Sequence, residues 1–135
     1  MSTPTKKKRV LIVDDEPDIV TYLVTLLRDN GYEPLSADNG RDGMEMIKAE
    51  APDLVTLDLS MPGGSGTGVY RELKSDPDLA GIPVIIVTAV TEEGADPRAF
   101  EDSIIARQNL PAPEGYFTKP IDIEEFVDAV KALLS

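Results

Sequence analysis

Short apolar runs alternate along this chain with longer segments of helical period. Val10 to Val13 is apolar at four consecutive positions and β-branched at three, the pattern of a strand covered on both faces. Pro17 suits the first turn of a helix in which Ile19, Tyr22, Leu23, Leu26 and Leu27 recur at helical spacing until Asn30-Gly31 stops it. A short strand from Glu33 to Ala37 follows. Next comes a helix from about Gly40 to Ala49, with Met44, Ile47 and Lys48 on one side, broken by Pro52.

The second half repeats the alternation. A strand from Asp53 to Asp58 runs into the turn-rich loop Ser60-Met61-Pro62-Gly63-Gly64-Ser65-Gly66, and a helix near Thr67 to Lys74 ends at Asp76-Pro77. Pro83 opens a strand from Val84 to Thr88, again doubly buried by pattern. Pro97 to about Asn109 reads as a helix with Phe100, Ile104 and Ile105 inward, closed by Pro111 and Pro113. Tyr116 to Thr118 is a short fifth strand. Asp122 then caps a last helix whose Phe126, Val127, Val130, Leu133 and Leu134 form one stripe. Five strands alternating with five helices, with no connection that reads as a hairpin, predict βαβ units and right-handed crossovers. The fold class is α/β, a doubly wound three-layer sandwich around a five-stranded parallel sheet.

Composition narrows the possible chemistry. A chain of 135 residues with 41% hydrophobic content fits one domain that buries about two thirds of its unfolded surface. The formal charge of -12 argues against direct DNA binding or an anionic membrane as the main partner, because both need a basic face. The one basic run, Lys6 to Arg9, is short, and residues 1–8 read as a basic flexible tail. Cysteine and histidine are both absent. This excludes disulfides, thiolate chemistry, zinc-thiolate sites and a phosphohistidine within the chain. No apolar run approaches the roughly 18 residues of a membrane span, and the N-terminus lacks the hydrophobic stretch of a secretory signal. The expected location is the cytoplasm.

Five residues of chemical interest fall at the downstream ends of four runs: Asp14, Asp15, Asp58, Thr88 and Lys119. In a parallel sheet all of them meet at the carboxyl edge, where open α/β folds bind ligands. Each also has a plain reading. Asp14-Asp15 resembles a helix N-cap pair, Thr88 a β-favouring residue and Lys119 a surface lysine. Asp58 is harder to dismiss, because the next helix begins too far away for it to serve as a cap. Taken together, three carboxylates, a hydroxyl and an ammonium describe a site for a divalent cation and a phosphoryl group. Crowded carboxylates raise one another's pKa unless a cation restores the balance, and magnesium suits oxygen donors that also face phosphate. With Mg2+ held by Asp15 and Asp58, a free Asp58 oxygen can attack phosphorus and form an aspartyl phosphate.

Val-Leu-Ile-Val-Asp14-Asp15-Glu-Pro, Asp53-Leu-Val-Thr-Leu-Asp58-Leu-Ser-Met-Pro62, Pro83-Val-Ile-Ile-Val-Thr88-Ala89 and Tyr116-Phe-Thr-Lys119-Pro120 together resemble the receiver domain of bacterial two-component response regulators. The similarity spans residues 9–135. It implies strand order 2-1-3-4-5, as in flavodoxin-like folds, and Asp58 as the phosphoacceptor. Asp15 and the backbone carbonyl of Ser60 would bind Mg2+ directly, and Asp14 would act through water. Thr88 and Lys119 would contact the phosphoryl group, Ala89 would leave room for it, and Lys119-Pro120 would be a cis peptide. Tyr116 matches the aromatic that turns inward as the threonine shifts.

The resemblance also implies partners. The donor would be a histidine kinase or histidine phosphotransfer protein, and a downstream protein would recognise the phosphorylated form. Such a chain catalyses its own phosphorylation and dephosphorylation without being a conventional turnover enzyme. With the sequence ending at the last helix, either a stand-alone receiver or part of a longer regulator is expected, and within that reading a phosphate sink or scaffold is the alternative. More residues separate Thr88 from Lys119 than the family commonly uses, with the excess around Arg107 to Glu114. The usual symmetric pairing through that face is therefore expected to be altered or absent, leaving a monomer or weak homodimer. Ser60 and Val90 occupy positions that influence attack by water, and apolar Val90 implies slow hydrolysis. Two other classes fit less well. A magnesium-dependent phosphohydrolase with an aspartyl nucleophile would need an acid where Ser60 stands, and a flavodoxin would need Ser/Thr and Gly amides where the segment after the first strand is acidic.

Overall fold

The computed structural model describes residues 7–59, 61, 65–89 and 110–135. Five strands, β1 (Arg9–Val13), β2 (Glu33–Ala37), β3 (Leu54–Leu57), β4 (Val84–Ala89) and β5 (Gly115–Lys119), form one parallel sheet in the order β2-β1-β3-β4-β5. Four helices are described: α1 (Pro17–Asp29), α2 (Gly40–Glu50), α3 (Ser65–Ser75) and α4 (Ile123–Leu134). The helix expected over residues 97–109 lies outside the described residues.

The consecutive apolar positions of β1 follow from a sheet covered on both sides. Val10 and Ile12 pack with Leu23 and Leu27 of α1 and with Phe126 and Val130 of α4. Leu11 and Val13 point the other way, against Met44 and Ile47 of α2 and Val69, Tyr70 and Leu73 of α3. β3 and β4 alternate likewise, with Leu54, Ile85 and Val87 on the first face and Val55, Leu57, Val84 and Ile86 on the second. This gives the three layers of a doubly wound fold.

Two side chains depart from expectation. Tyr22 is exposed at 43%, because the buried stripe of α1 runs through Leu23 and Leu27 with Val20 and Val24 packed beside them. Lys48 also faces solvent, where its ammonium pairs with Glu72 of α3 at 3.0 Å. Asp122 caps α4 as expected, its carboxylate accepting from the Glu125 amide at 3.0 Å.

The sheet edge at β2 tolerates a proline for a geometric reason. Glu33 N–H donates to Lys8 O at 2.9 Å, and Ala37 O accepts from Asp14 N–H at 3.1 Å. Alternation then turns Pro34 toward the free edge, where its missing N–H breaks no ladder bond and discourages further pairing. At the opposite side of the sheet, the described residues before β5 lie against α3. Leu110 packs on the core, the Tyr70 hydroxyl donates to the Pro111 carbonyl, and Glu114 pairs with Lys74 at 2.6 Å.

Candidate functional site

β2 and β3 lie on opposite sides of β1, so the chain reverses its winding direction there. The crevice beyond the carboxyl ends of β1 and β3 is where such folds bind ligands. Asp14 follows directly from β1 and Asp58 directly from β3. The two are 2% and 1% exposed, and Asp58 N–H donates to Val13 O at 3.0 Å. Consecutive backbone bonds of the sheet therefore fix both carboxylates side by side. Gly66, in the first turn of α3, presses on the same backbone: a Cβ there would stand 2.1 Å from the Asp58 carbonyl oxygen. Only glycine allows that approach.

Lys119 ends β5, and the Lys119-Pro120 bond after it is cis, as the resemblance implied. Its ammonium lies 2.6 Å from Glu16 Oε1, 3.0 Å from Asp14 Oδ2 and 3.4 Å from Asp58 Oδ2. Burial alone would lower the lysine's pKa. Hydrogen bonds to Glu16 and then Asp14, together with the charges of Asp58 and Asp14, outweigh that and push it up to about 12. A lysine raised in the folded state adds stability that is complete below its unfolded value and disappears as pH rises through about 12. The ammonium is therefore fixed throughout the neutral range.

Asp14 shifts the other way energetically. Burial, with the charge of Asp58 adding to it, raises its pKa, against the opposing effects of the Glu16 amide and of Lys119. A carboxyl whose folded pKa is raised favours folding when protonated, and that contribution falls as pH climbs above the unfolded value. Asp14→Asn is therefore expected to raise the melting temperature at neutral pH. The gain should shrink toward zero in acid, where both forms are neutral, and a pH series of thermal melts checks it.

Among the described residues, the carboxylates that approach within 4.8 Å of one another are Asp14, Glu16 and Asp58. Hard oxygen donors in this number suit a cation such as Mg2+. Asp15 is exposed and stands outside this trio. Thr88 pairs with Thr118 one residue before the end of β4, which brings its backbone to the same edge. Its side chain, together with Ser60 and Val90, lies outside the described residues. The Tyr116 ring is half-buried against the core face that contains Leu11 and Ile86. Sequence reasoning assigned nothing to Glu16. The available signal was local: a glutamate directly before Pro17 at a helix start is a poor capping residue.

A doubly wound parallel sheet with two buried aspartates and a lysine at its carboxyl edge defines an α/β domain with a charged site beyond β1, β3 and β5. The sequence model described as response regulator receiver domain matches residues 10–131, and the chain belongs to that family. It is 35% identical to Protein PilH of Pseudomonas aeruginosa over 94% of this chain and 98% of PilH. It is 32% identical to the polar-differentiation response regulator DivK of Brucella anthropi, covering 94% of this chain and 96% of DivK. Among solved structures, a putative response regulator from Chloroflexus aurantiacus superposes with a TM-score of 0.79 at 27% identity, covering 96% of this chain and 98% of that one.

Proposed function

We propose that this chain accepts a phosphoryl group on Asp58 from a histidine kinase or phosphotransfer protein, in a Mg2+-dependent step, and changes its output face in response. One observation carries the reading: Asp14, Asp58 and Lys119 come from three strands separated in sequence, yet one ammonium lies within 3.4 Å of both aspartates. A carboxylate oxygen of Asp58 forms the new bond to phosphorus as phosphorus separates from the donor's imidazole nitrogen, or from the acyl oxygen of a small donor. The leaving group takes the electron pair.

By the family resemblance, Asp15, Asp58 and the Ser60 carbonyl are the groups that would hold magnesium directly, with Asp14 acting through water. Of these, Asp14 and Asp58 lie in the carboxylate trio, whose third member, Glu16, faces Lys119. When bound, magnesium supplies positive charge against the crowded carboxylates and phosphoryl oxygens. Lys119 pairs with one phosphoryl oxygen, and Thr88 donates a hydrogen bond to another. Together they favour an arrangement of the output face, with Tyr116 turned inward, that a downstream protein recognises. A thousandfold shift in that balance needs about 4 kcal/mol, and two charge-assisted hydrogen bonds of about 1.5–3 kcal/mol each supply it. The protein would act in the cytoplasm, residues 9–135 forming the receiver and residues 1–8 a basic flank.

The test is labelling by acetyl phosphate with and without magnesium. Mass added only when the metal is present supports the assignment, and mass added equally after chelation removes it. Lifetime gives a second expectation. Val90 offers no polar group to orient an attacking water, so Val90→Glu should shorten the half-life of the phosphorylated form by up to about a hundredfold, the lower end of general-base effects. An unchanged rate of phosphate release would discard this role.

A further inference from the structure

Glu16 occupies the N-cap of α1 with extended backbone, yet its side chain makes no capping hydrogen bond. Asp, Asn, Ser and Thr serve that position well because their oxygens reach the first-turn amides. A glutamate placed there gives up the local interaction. Its carboxylate instead reaches Lys119, 103 residues later, at 2.6 Å, closer than Asp14 at 3.0 Å or Asp58 at 3.4 Å. Its backbone amide meanwhile donates to Asp14 Oδ1 at 2.9 Å. One residue thus orients a buried carboxylate with its main chain and holds the site's cation with its side chain.

Exposure shows which partner yields first. The Glu16 side chain is 53% exposed, against 3% for Asp14 and 1% for Asp58. A solvated carboxylate that lets go of an ammonium is rehydrated at little cost, whereas a buried one is left uncompensated. Glu16 has the shortest contact to Lys119 and the lowest cost of release, so the restraint is reversible.

We propose that Glu16 is a positioning residue that draws the Lys119 ammonium away from Asp58 in the unphosphorylated chain and so limits how readily a phosphoryl group is accepted. The assignment rests on the reading of Asp58 as phosphoacceptor. It applies to two variants with different consequences. Glu16→Gln removes one negative charge beside the cation site and with it the ion pair to Lys119, leaving only a neutral amide oxygen in reach of the ammonium. Glu16→Asp keeps the charge, but its shorter side chain suits the N-cap amides and no longer spans to Lys119.

Phosphoryl acceptance from acetyl phosphate is followed across a magnesium titration, with calorimetric Mg2+ binding to the unphosphorylated chain and beryllium trifluoride as a phosphoryl mimic. Both variants are expected to accept the phosphoryl group, and to bind the mimic, up to about fivefold better at saturating magnesium, the ceiling set by an exposed ion pair. Glu16→Gln alone should need more magnesium for half-saturation. A structural role at the helix start would instead leave Glu16→Asp at the parent's rate with a higher melting temperature. Parent-like or slower acceptance by both variants overturns the Glu16 assignment alone. A parent chain that takes up neither phosphoryl group nor mimic overturns the reading beneath it.

Discussion

Asp58→Asn should abolish the gain of about 80 daltons that acetyl phosphate and magnesium produce in the parent chain. The substitution exchanges one carboxylate oxygen for an amide nitrogen of nearly the same size, at a residue 1% exposed whose backbone is fixed by its bond to Val13. Shape is preserved while the anionic nucleophile is lost. Loss of a reacting group exceeds about a hundredfold wherever no neighbour takes over its attack. Asp14 is the nearest candidate for that, but its carboxylate is committed to the Glu16 amide and to Lys119. Folding provides the control: removing one of two adjoining buried carboxylates relieves repulsion, so the variant should melt within roughly 5 °C of the parent. A well-folded Asp58→Asn chain that still gains the same mass would place the acceptor elsewhere.

The sequence carried much of this architecture because buried parallel strands require uninterrupted apolar runs, and the residue leaving each strand is then placed at a known edge. Asp14, Asp58 and Lys119 are legible at that edge from the sequence alone. Strand ends are less so. β5 begins at Gly115 and reaches Lys119, though glycine has little strand propensity, because Gly115 sits against Ile85 across the β4 register. α3 starts at Ser65 rather than near Thr67, and Gly66 is needed there by its contact with the Asp58 backbone, which no local pattern encodes. In α1 two interleaved apolar stripes satisfy the same period, and only the position of the sheet chooses Leu23 and Leu27 over Tyr22. Glu16 was missed for a similar reason: its partner lies 103 residues away, and nothing in its neighbourhood names that partner. The long-range ion pair of Lys74 with Glu114 was equally hidden, since both look like solvated charges until the packing of α3 beside the entry to β5 brings them together.

That pair yields an asymmetric expectation. The Lys74 side chain is 1% exposed and Glu114 30%, so the two halves of the bridge are not equivalent. Glu114 Oε1 lies 2.6 Å from the ammonium, and Oε2 also accepts from the Val84 amide at 3.0 Å, at the start of a central strand. Among the described residues, Glu114→Ala leaves a buried cation with the Ala80 and Ile82 carbonyls, each at 3.4 Å, and takes the side-chain acceptor from Val84 N–H. Stranding a buried charge costs about 3–5 kcal/mol, which for a domain of this size lowers the melting temperature by roughly 10–20 °C. Lys74→Met removes the cation instead and leaves a carboxylate that water can reach, so its cost should be smaller, about 1–2 kcal/mol. In Lys74→Met/Glu114→Leu both charges are gone, and most of the Glu114→Ala loss should be recovered. Denaturant unfolding of the three variants separates these cases. Equal losses for the two single substitutions would mean that the bridge behaves as a surface contact. The predicted inequality would mean that the segment before β5 is fastened to α3 at the amino end of the sheet, away from the acidic site.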